Sequence, residues 1–227
     1  MKGLVFDVDG LLADTETLVA LASIDMFAEL YGLTDVRVED FRPFIGTGPH
    51  RYVEGVAEKY GVTIDTEAAV ESRHRHFVRR IEAGAYIGFP GARTLVDAAA
   101  AAPGWRLAIA TSSLRHKAEI SLKAAGIPIE AFNAFISGDM VTRRKPAPDI
   151  YIKAAEALAI EPAGCVGVED AIAGVQSVRG AGMACLAVTN SFSREELAEA
   201  DLVVSSLEEV SLETLDDLLD SRPGQSA

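Results

Sequence analysis

GLVFDVDGLLADT, residues 3–15, decides the fold. Leu4, Val5, Phe6 and Val8 form an apolar run with no polar face, the pattern of a strand covered on both sides. Asp7 and Asp9 stand at its carboxyl end, two positions apart, so an extended backbone points both carboxylates to one side. Like charges beside a hydrophobic core disfavour each other's ionisation and lose water. A bound cation is the natural compensation.

Working outward, the same kind of run recurs. RLAIAT (106–111), AFISG (134–138), CVGVE (165–169), ACLAV (184–188) and DLVVSS (201–206) are short, apolar and bounded by turn residues. Helical patterns separate them, at 116–126, 147–159 and 170–182. Strand and helix alternating in this way predict an α/β chain with a doubly wound parallel sheet.

Residues 16–84 break the rhythm. Leu18, Leu21, Ile24, Phe27, Leu30 and Tyr31 mark one helix face; Tyr52, Val53, Val56, Ala57 and Tyr60 a second; Val70, Phe77, Val78 and Ile81 a third. No buried-type strand occurs there. The expected organisation is therefore a core of residues 1–14 and 86–220, an inserted helical domain at 15–85, and a disordered tail at 221–227. Glycine-containing joints at 10–15 and 83–92 read as hinges.

Composition narrows the function. The chain has 227 residues, 49% of them hydrophobic, and a net charge of −13. Such a charge repels nucleic acid and anionic membranes, so neither is expected as a partner. An anionic substrate would need a local cation or basic residue. Cys165 and Cys185 fall in strand-like runs and read as reduced core thiols. The chain shows no signal-peptide pattern and no membrane-length apolar run, so a cytoplasmic protein, monomeric or weakly dimeric, is the expectation.

In parallel sheets, ligands bind outside the carboxyl ends of the strands. Those ends carry Asp7 and Asp9, then Thr111, Ser112 and Ser113, then Lys145 behind Arg143 and Arg144, then Glu169 and Asp170. Carboxylate ligands with few neutral ones suit one magnesium ion, completed by water and substrate phosphate. Thr111 and Ser112 can hold phosphoryl oxygens, and Lys145 can neutralise them. One carboxylate could attack phosphorus while the other handles protons. Ser113 could equally cap the following helix.

DVDGLLADT, the end of LAIATSS, KPAPDIY and GVEDAIAGV, in this order, resemble the four signature motifs of the haloacid dehalogenase superfamily, and most of all its β-phosphoglucomutase-like phosphatases and mutases. The resemblance spans residues 3 to about 190. It implies a Rossmann-like core with an α-helical cap, and a small phosphorylated metabolite as partner. It further implies Asp7 as nucleophile and Asp9 as general acid/base. Magnesium would be held by Asp7, the backbone carbonyl of Asp9, Asp170 and Glu169, and the phosphoryl group by Thr111 and Lys145. The acid at position 9, which the dehalogenases lack, favours phosphoryl transfer over carbon–halogen cleavage.

The expected activity is hydrolysis of a small phosphate monoester, a sugar or polyol phosphate, through an aspartyl phosphate. A phosphohexose mutase is the near alternative. It needs a clamp for a second phosphate, and the one arginine in FIGTGPHRYVEG (44–55) is Arg51, five residues after Gly46, a longer spacing than in the mutases. Arg51 reads either as a substrate contact or as a solvent-facing helix residue. A non-enzymatic phosphoacceptor module is the alternative of another class; it leaves Asp9 without a task. The basic run ESRHRHFVRR (71–80) reads as the wet face of a helix.

Overall fold

The structure is a computed structural model that describes residues 1–44 and 49–221. Gly46, Thr47 and Gly48 of the arginine-spacing argument, and residues 222–227 of the expected tail, lie outside the described residues. The chain divides into two compact units, one of Met1–Asp14 with Gly88–Ala227 and one of Thr15–Ile87.

The first unit is built on six parallel strands: β1 (Lys2–Phe6), β2 (Trp105–Ala110), β3 (Ala134–Ile136), β4 (Cys165–Glu169), β5 (Ala184–Val188) and β6 (Leu202–Val204). Their order is β3-β2-β1-β4-β5-β6. The α/β doubly wound expectation therefore holds. The order reverses at β1, whose neighbours are β2 and β4, and a reversal of this kind opens a crevice at the strands' carboxyl ends. The helices are α4 (Ala92–Ala101), α5 (Arg115–Ala124), α6 (Asp149–Leu158), α7 (Ile172–Gly180) and α8 (Leu212–Asp220). Val5, Ala108, Val175, Val178, Cys165 and Cys185 share one buried cluster, which explains why β1, β4 and β5 carry no polar face. Both cysteines are buried thiols, neither in a disulfide.

β1 is shorter than the run that encodes it. The ladder ends at Phe6, and the Asp7 amide makes one last bond to the Val168 carbonyl at 3.1 Å. The chain then turns back at Gly10, whose φ of +84° suits glycine. The amides of Leu12 and Ala13 both reach the Val8 carbonyl at 3.0 Å. A Cβ on Gly10 would lie 2.1 Å from Asp170 Oδ2, so the turn leaves no room for a side chain there.

The second unit contains the three expected helices, α1 (Thr15–Tyr31), α2 (Pro49–Tyr60) and α3 (Thr66–Glu82), and a 3₁₀ segment at Val38–Phe44. Phe27, Phe41, Tyr52, Val53 and Val56 form its core, with the Phe41 and Tyr52 rings stacked 5.0 Å apart. The basic run on α3 differs from its reading as a wet face. Arg80 makes a bidentate pair with Asp25 at 2.6 and 2.8 Å, and His76 meets Glu29 at 2.5 Å. The run is in part a strap between α3 and α1. No helix among the described residues is long and apolar enough to cross a membrane.

Asp40 ties the 3₁₀ segment to α2. It is 8% exposed and bonds Lys59, the Tyr60 hydroxyl at 2.6 Å and the Arg37 amide at 2.9 Å. Burial works to raise its pKa, but these three donors outweigh it and hold the carboxyl at about 2. A depressed carboxyl stabilises the fold above its unfolded pKa and loses that effect as pH falls through the folded value. Asp40→Asn is therefore expected to lower stability by about 2 kcal/mol at pH 7 and to lose that deficit between about pH 4 and pH 2. Thermal melts of both proteins across that window check it.

Candidate active site

The site sits where the strand order reverses. β1 delivers Asp7, and its neighbour β4 delivers Glu169 and Asp170. The three residues are 7%, 1% and 3% exposed, and one carboxylate oxygen of each lies within 4.8 Å of the others. Three buried acids with one lysine leave an excess of negative charge. Burial raises the pKa of Asp7 well above the usual carboxylate range; Lys145 opposes this, and Glu169, Asp170 and Asp9 reinforce it. Asp170 is pushed up to about 7, by burial first and then by Glu169, against the pull of Ser191 and Lys145.

This donor set fits magnesium. It consists of hard oxygen ligands converging from adjacent strand ends, in an arrangement strained without a cation. Neighbours fix each carboxylate. The Tyr151 hydroxyl donates to Glu169 Oε1 at 2.7 Å, and the Asp170 amide reaches Glu169 Oε2 at 3.2 Å. A Cβ on Gly174 would sit 1.9 Å from the Glu169 carboxyl carbon, so the opening turn of α7 lies flush against it. Ser191 donates to Asp170 Oδ2, and Asn190 holds the Gly10 carbonyl at 2.9 Å.

Lys145 enters from the segment before α6, preceding a cis proline. Its side chain is 8% exposed, and its Nζ donates to Asp7 Oδ1 at 2.5 Å, Glu169 Oε1 at 2.6 Å and the Ala110 carbonyl at 3.0 Å. An ammonium has three donors, and all three are used. Burial alone would lower its pKa, but Asp7 and Glu169 outweigh that and hold it above the ordinary lysine value. Arg143 instead pairs with Asp149 at the surface, 2.7 Å away.

The loop after β2 holds the hydroxyls. Thr111 is 1% exposed and accepts from the Ser113 amide at 3.1 Å, so its O–H remains to donate elsewhere. Ser112 is partly exposed, and its carbonyl would lie 2.2 Å from a Cβ on Gly138. Ser113 is not the cap of α5: Leu114 holds that position without a side-chain bond. The Ser113 hydroxyl donates instead to Asp9 Oδ2 at 2.6 Å. The Asp9 carboxylate itself lies outside the group of Asp7, Glu169 and Asp170.

Arg51 lies on α2, exposed, in a bidentate pair with Glu58 at 2.6 and 3.0 Å, and stacks over Phe44. Sequence reasoning placed Ser113 at the same sheet edge as the acids without its bond to Asp9, and missed Tyr151, Asn190 and Ser191 as their neighbours. TNS at 189–191 follows β5 on the same sheet edge as the other site residues, and that position was the available signal. Nothing in the pattern singles out Tyr151, which is completely buried.

A buried acid–lysine cluster thus stands at the reversal point of a doubly wound sheet, where folds of this α/β class bind their ligands. The chain belongs to the haloacid dehalogenase-like hydrolase family, whose sequence model matches residues 1–182. It is 39% identical over 204 residues to SUPPRESSOR OF QUENCHING 1 of Arabidopsis thaliana; that match covers 88% of this chain and 19% of the relative. The chain thus spans about a fifth of that relative's length. It is 33% identical to hexitol phosphatase A of Escherichia coli, covering 93% of this chain and 94% of the relative. The crystal structure of CbbY from Rhodobacter sphaeroides in complex with phosphate superposes with a TM-score of 0.73 at 31% identity, over 95% of this chain and 99% of that one.

Proposed function

We propose that the chain is a magnesium-dependent phosphatase that hydrolyses a small sugar or polyol phosphate through an aspartyl phosphate on Asp7. One observation carries the reading: a buried lysine that bridges Asp7 and Glu169 at the reversal point of the sheet. The kinship with hexitol phosphatase A and with a phosphate-binding CbbY supports the substrate class.

Asp7, Glu169 and Asp170, with the Asp9 carbonyl, would hold the ion; when bound, it neutralises the acids and the phosphoryl oxygens. Thr111 and Ser112 donate hydrogen bonds to those oxygens. A carboxylate oxygen of Asp7 attacks phosphorus as the bond to the leaving oxygen breaks, and Asp9 gives that oxygen its proton. Asp9 then takes a proton from water, which attacks phosphorus and releases Asp7 and inorganic phosphate. Lys145 holds Asp7 in place against the like charge of its neighbours. The helical insert serves as the substrate-selecting cap.

Phosphate release from a panel of monoesters, hexitol phosphates and β-glucose 1-phosphate included, tests this. Release from a few small esters, lost on chelation and restored by magnesium, is expected. Conversion of β-glucose 1-phosphate to glucose 6-phosphate with little free phosphate would overturn it in favour of a mutase. A single stoichiometric phosphorylation without turnover would overturn it in favour of a phosphoacceptor.

A further inference from the structure

Ser113 stands outside every role assigned above, yet its hydroxyl makes a short bond to the carboxylate that handles protons, 104 residues away in sequence. Both ends of that bond are built on fixed backbone. The Ser113 amide is tied to Thr111 Oγ1 at 3.1 Å, and its carbonyl accepts from the Gly138 amide at 3.0 Å. Position 138 admits only glycine without a shift, because the Ser112 carbonyl fills the space of a Cβ. On the other side, the Gly10 amide bonds the Ala13 carbonyl at 2.9 Å and closes the turn behind Asp9.

From this geometry, and resting on the reading of Asp9 as general acid, we infer that Ser113 is a positioning residue for Asp9. A hydroxyl that donates to Oδ2 sets the rotation of the carboxylate and directs the transferable proton to Oδ1. It also joins the acid to the loop of Thr111 and Ser112, so that the groups holding the phosphoryl oxygens and the group protonating the leaving oxygen move as one. During transfer the Asp7 oxygen–phosphorus bond forms, the ester bond breaks, and the proton passes from Asp9 Oδ1 to the departing oxygen. Ser113 gains and loses nothing.

Leaving groups of different basicity separate positioning from support. p-Nitrophenolate departs without a proton, whereas phenolate and a hexitol alkoxide need one increasingly. We would measure kcat/KM, which reports transfer to Asp7, for p-nitrophenyl phosphate, phenyl phosphate and hexitol 6-phosphate. The proteins are the wild type, Ser113→Ala, Ser113→Thr and Asp9→Asn. Ser113→Ala is expected to fall about 10- to 100-fold on the hexitol ester, the scale of one hydrogen bond to a charged group, and under about 3-fold on p-nitrophenyl phosphate. Ser113→Thr, which keeps the hydroxyl, should recover most of the loss. Asp9→Asn should show the same dependence, more steeply.

Equal losses on all three esters in Ser113→Ala, with the dependence intact in Asp9→Asn, would overturn the inference and make Ser113 a phosphate or loop residue. No loss on any ester would overturn it as well. A flat Asp9→Asn profile would remove Asp9 as the acid, and the inference with it.

Discussion

Asp7→Asn is expected to abolish turnover, by a factor of about 10⁴ or more, while leaving the fold intact. The amide matches the carboxylate in shape and offers Lys145 the same oxygen acceptor, now bonded at 2.5 Å, but it cannot attack phosphorus. The site itself predicts the stability result. Asp7 sits among Glu169, Asp170 and Asp9, and burial with those charges raises its pKa. A carboxyl raised in the folded state costs stability above its unfolded pKa, so a neutral side chain there removes a penalty. The metal-free variant should therefore melt no lower than the metal-free wild type at pH 8. Acid-quenched wild type, incubated with a turned-over ester, should retain a covalent phosphoryl group that the variant lacks. Residual turnover with a labelled Asp7→Asn protein would eliminate the covalent mechanism.

The backbone plan was legible because each parallel strand is covered on both faces. Cys165–Glu169 and Ala184–Val188 are buried at every position, and such segments read as unbroken apolar runs. The acids were legible because they interrupt those runs at one end. Strand–helix alternation predicts that the ends of these strands share one sheet edge; that Asp7 and Glu169 come together through the pairing of β1 with β4 is set by the strand order, which the alternation leaves open. Contacts that depend on loop conformation were not legible. Ser113 looks like a helix cap by type and position; only the path of the loop turns its hydroxyl toward Asp9. Tyr151 lies in the first turn of α6, and the helical period marks it as apolar core, although its hydroxyl bonds Glu169. α4 and α8 went unread because short helices, one of them alanine-rich, carry little pattern beside the strands. The α3 straps depend on which acids of α1 face them, and one helix read alone does not reveal that.

Lys145→Met carries the other large effect, and it falls on stability as well as rate. Methionine fills comparable space without charge, so the change isolates the ammonium. It leaves the Ala110 carbonyl, Asp7 Oδ1 and Glu169 Oε1 without their common donor. Breaking a buried pair from one side costs about 3–5 kcal/mol, which in a chain of this size lowers the melting temperature by about 6–20 °C. The deficit has a sign in pH. Without the ammonium, Asp7 and Asp170 keep their protons to higher pH than before, while in the unfolded chain they release them near pH 4. Over that interval the folded state binds more protons, so stability falls as pH rises. The gap to wild type should therefore be small at pH 5 and largest at pH 8 in chelator. Magnesium supplies positive charge to the same acids, so at pH 8 it should stabilise the variant more than it stabilises the wild type. Turnover should stay depressed by about 10³-fold even then, because restored charge does not restore the donor that holds Asp7 in line. Melts at pH 5 and pH 8, with and without magnesium, decide the matter: a gap independent of pH would mean that Lys145 acts by packing and not by charge.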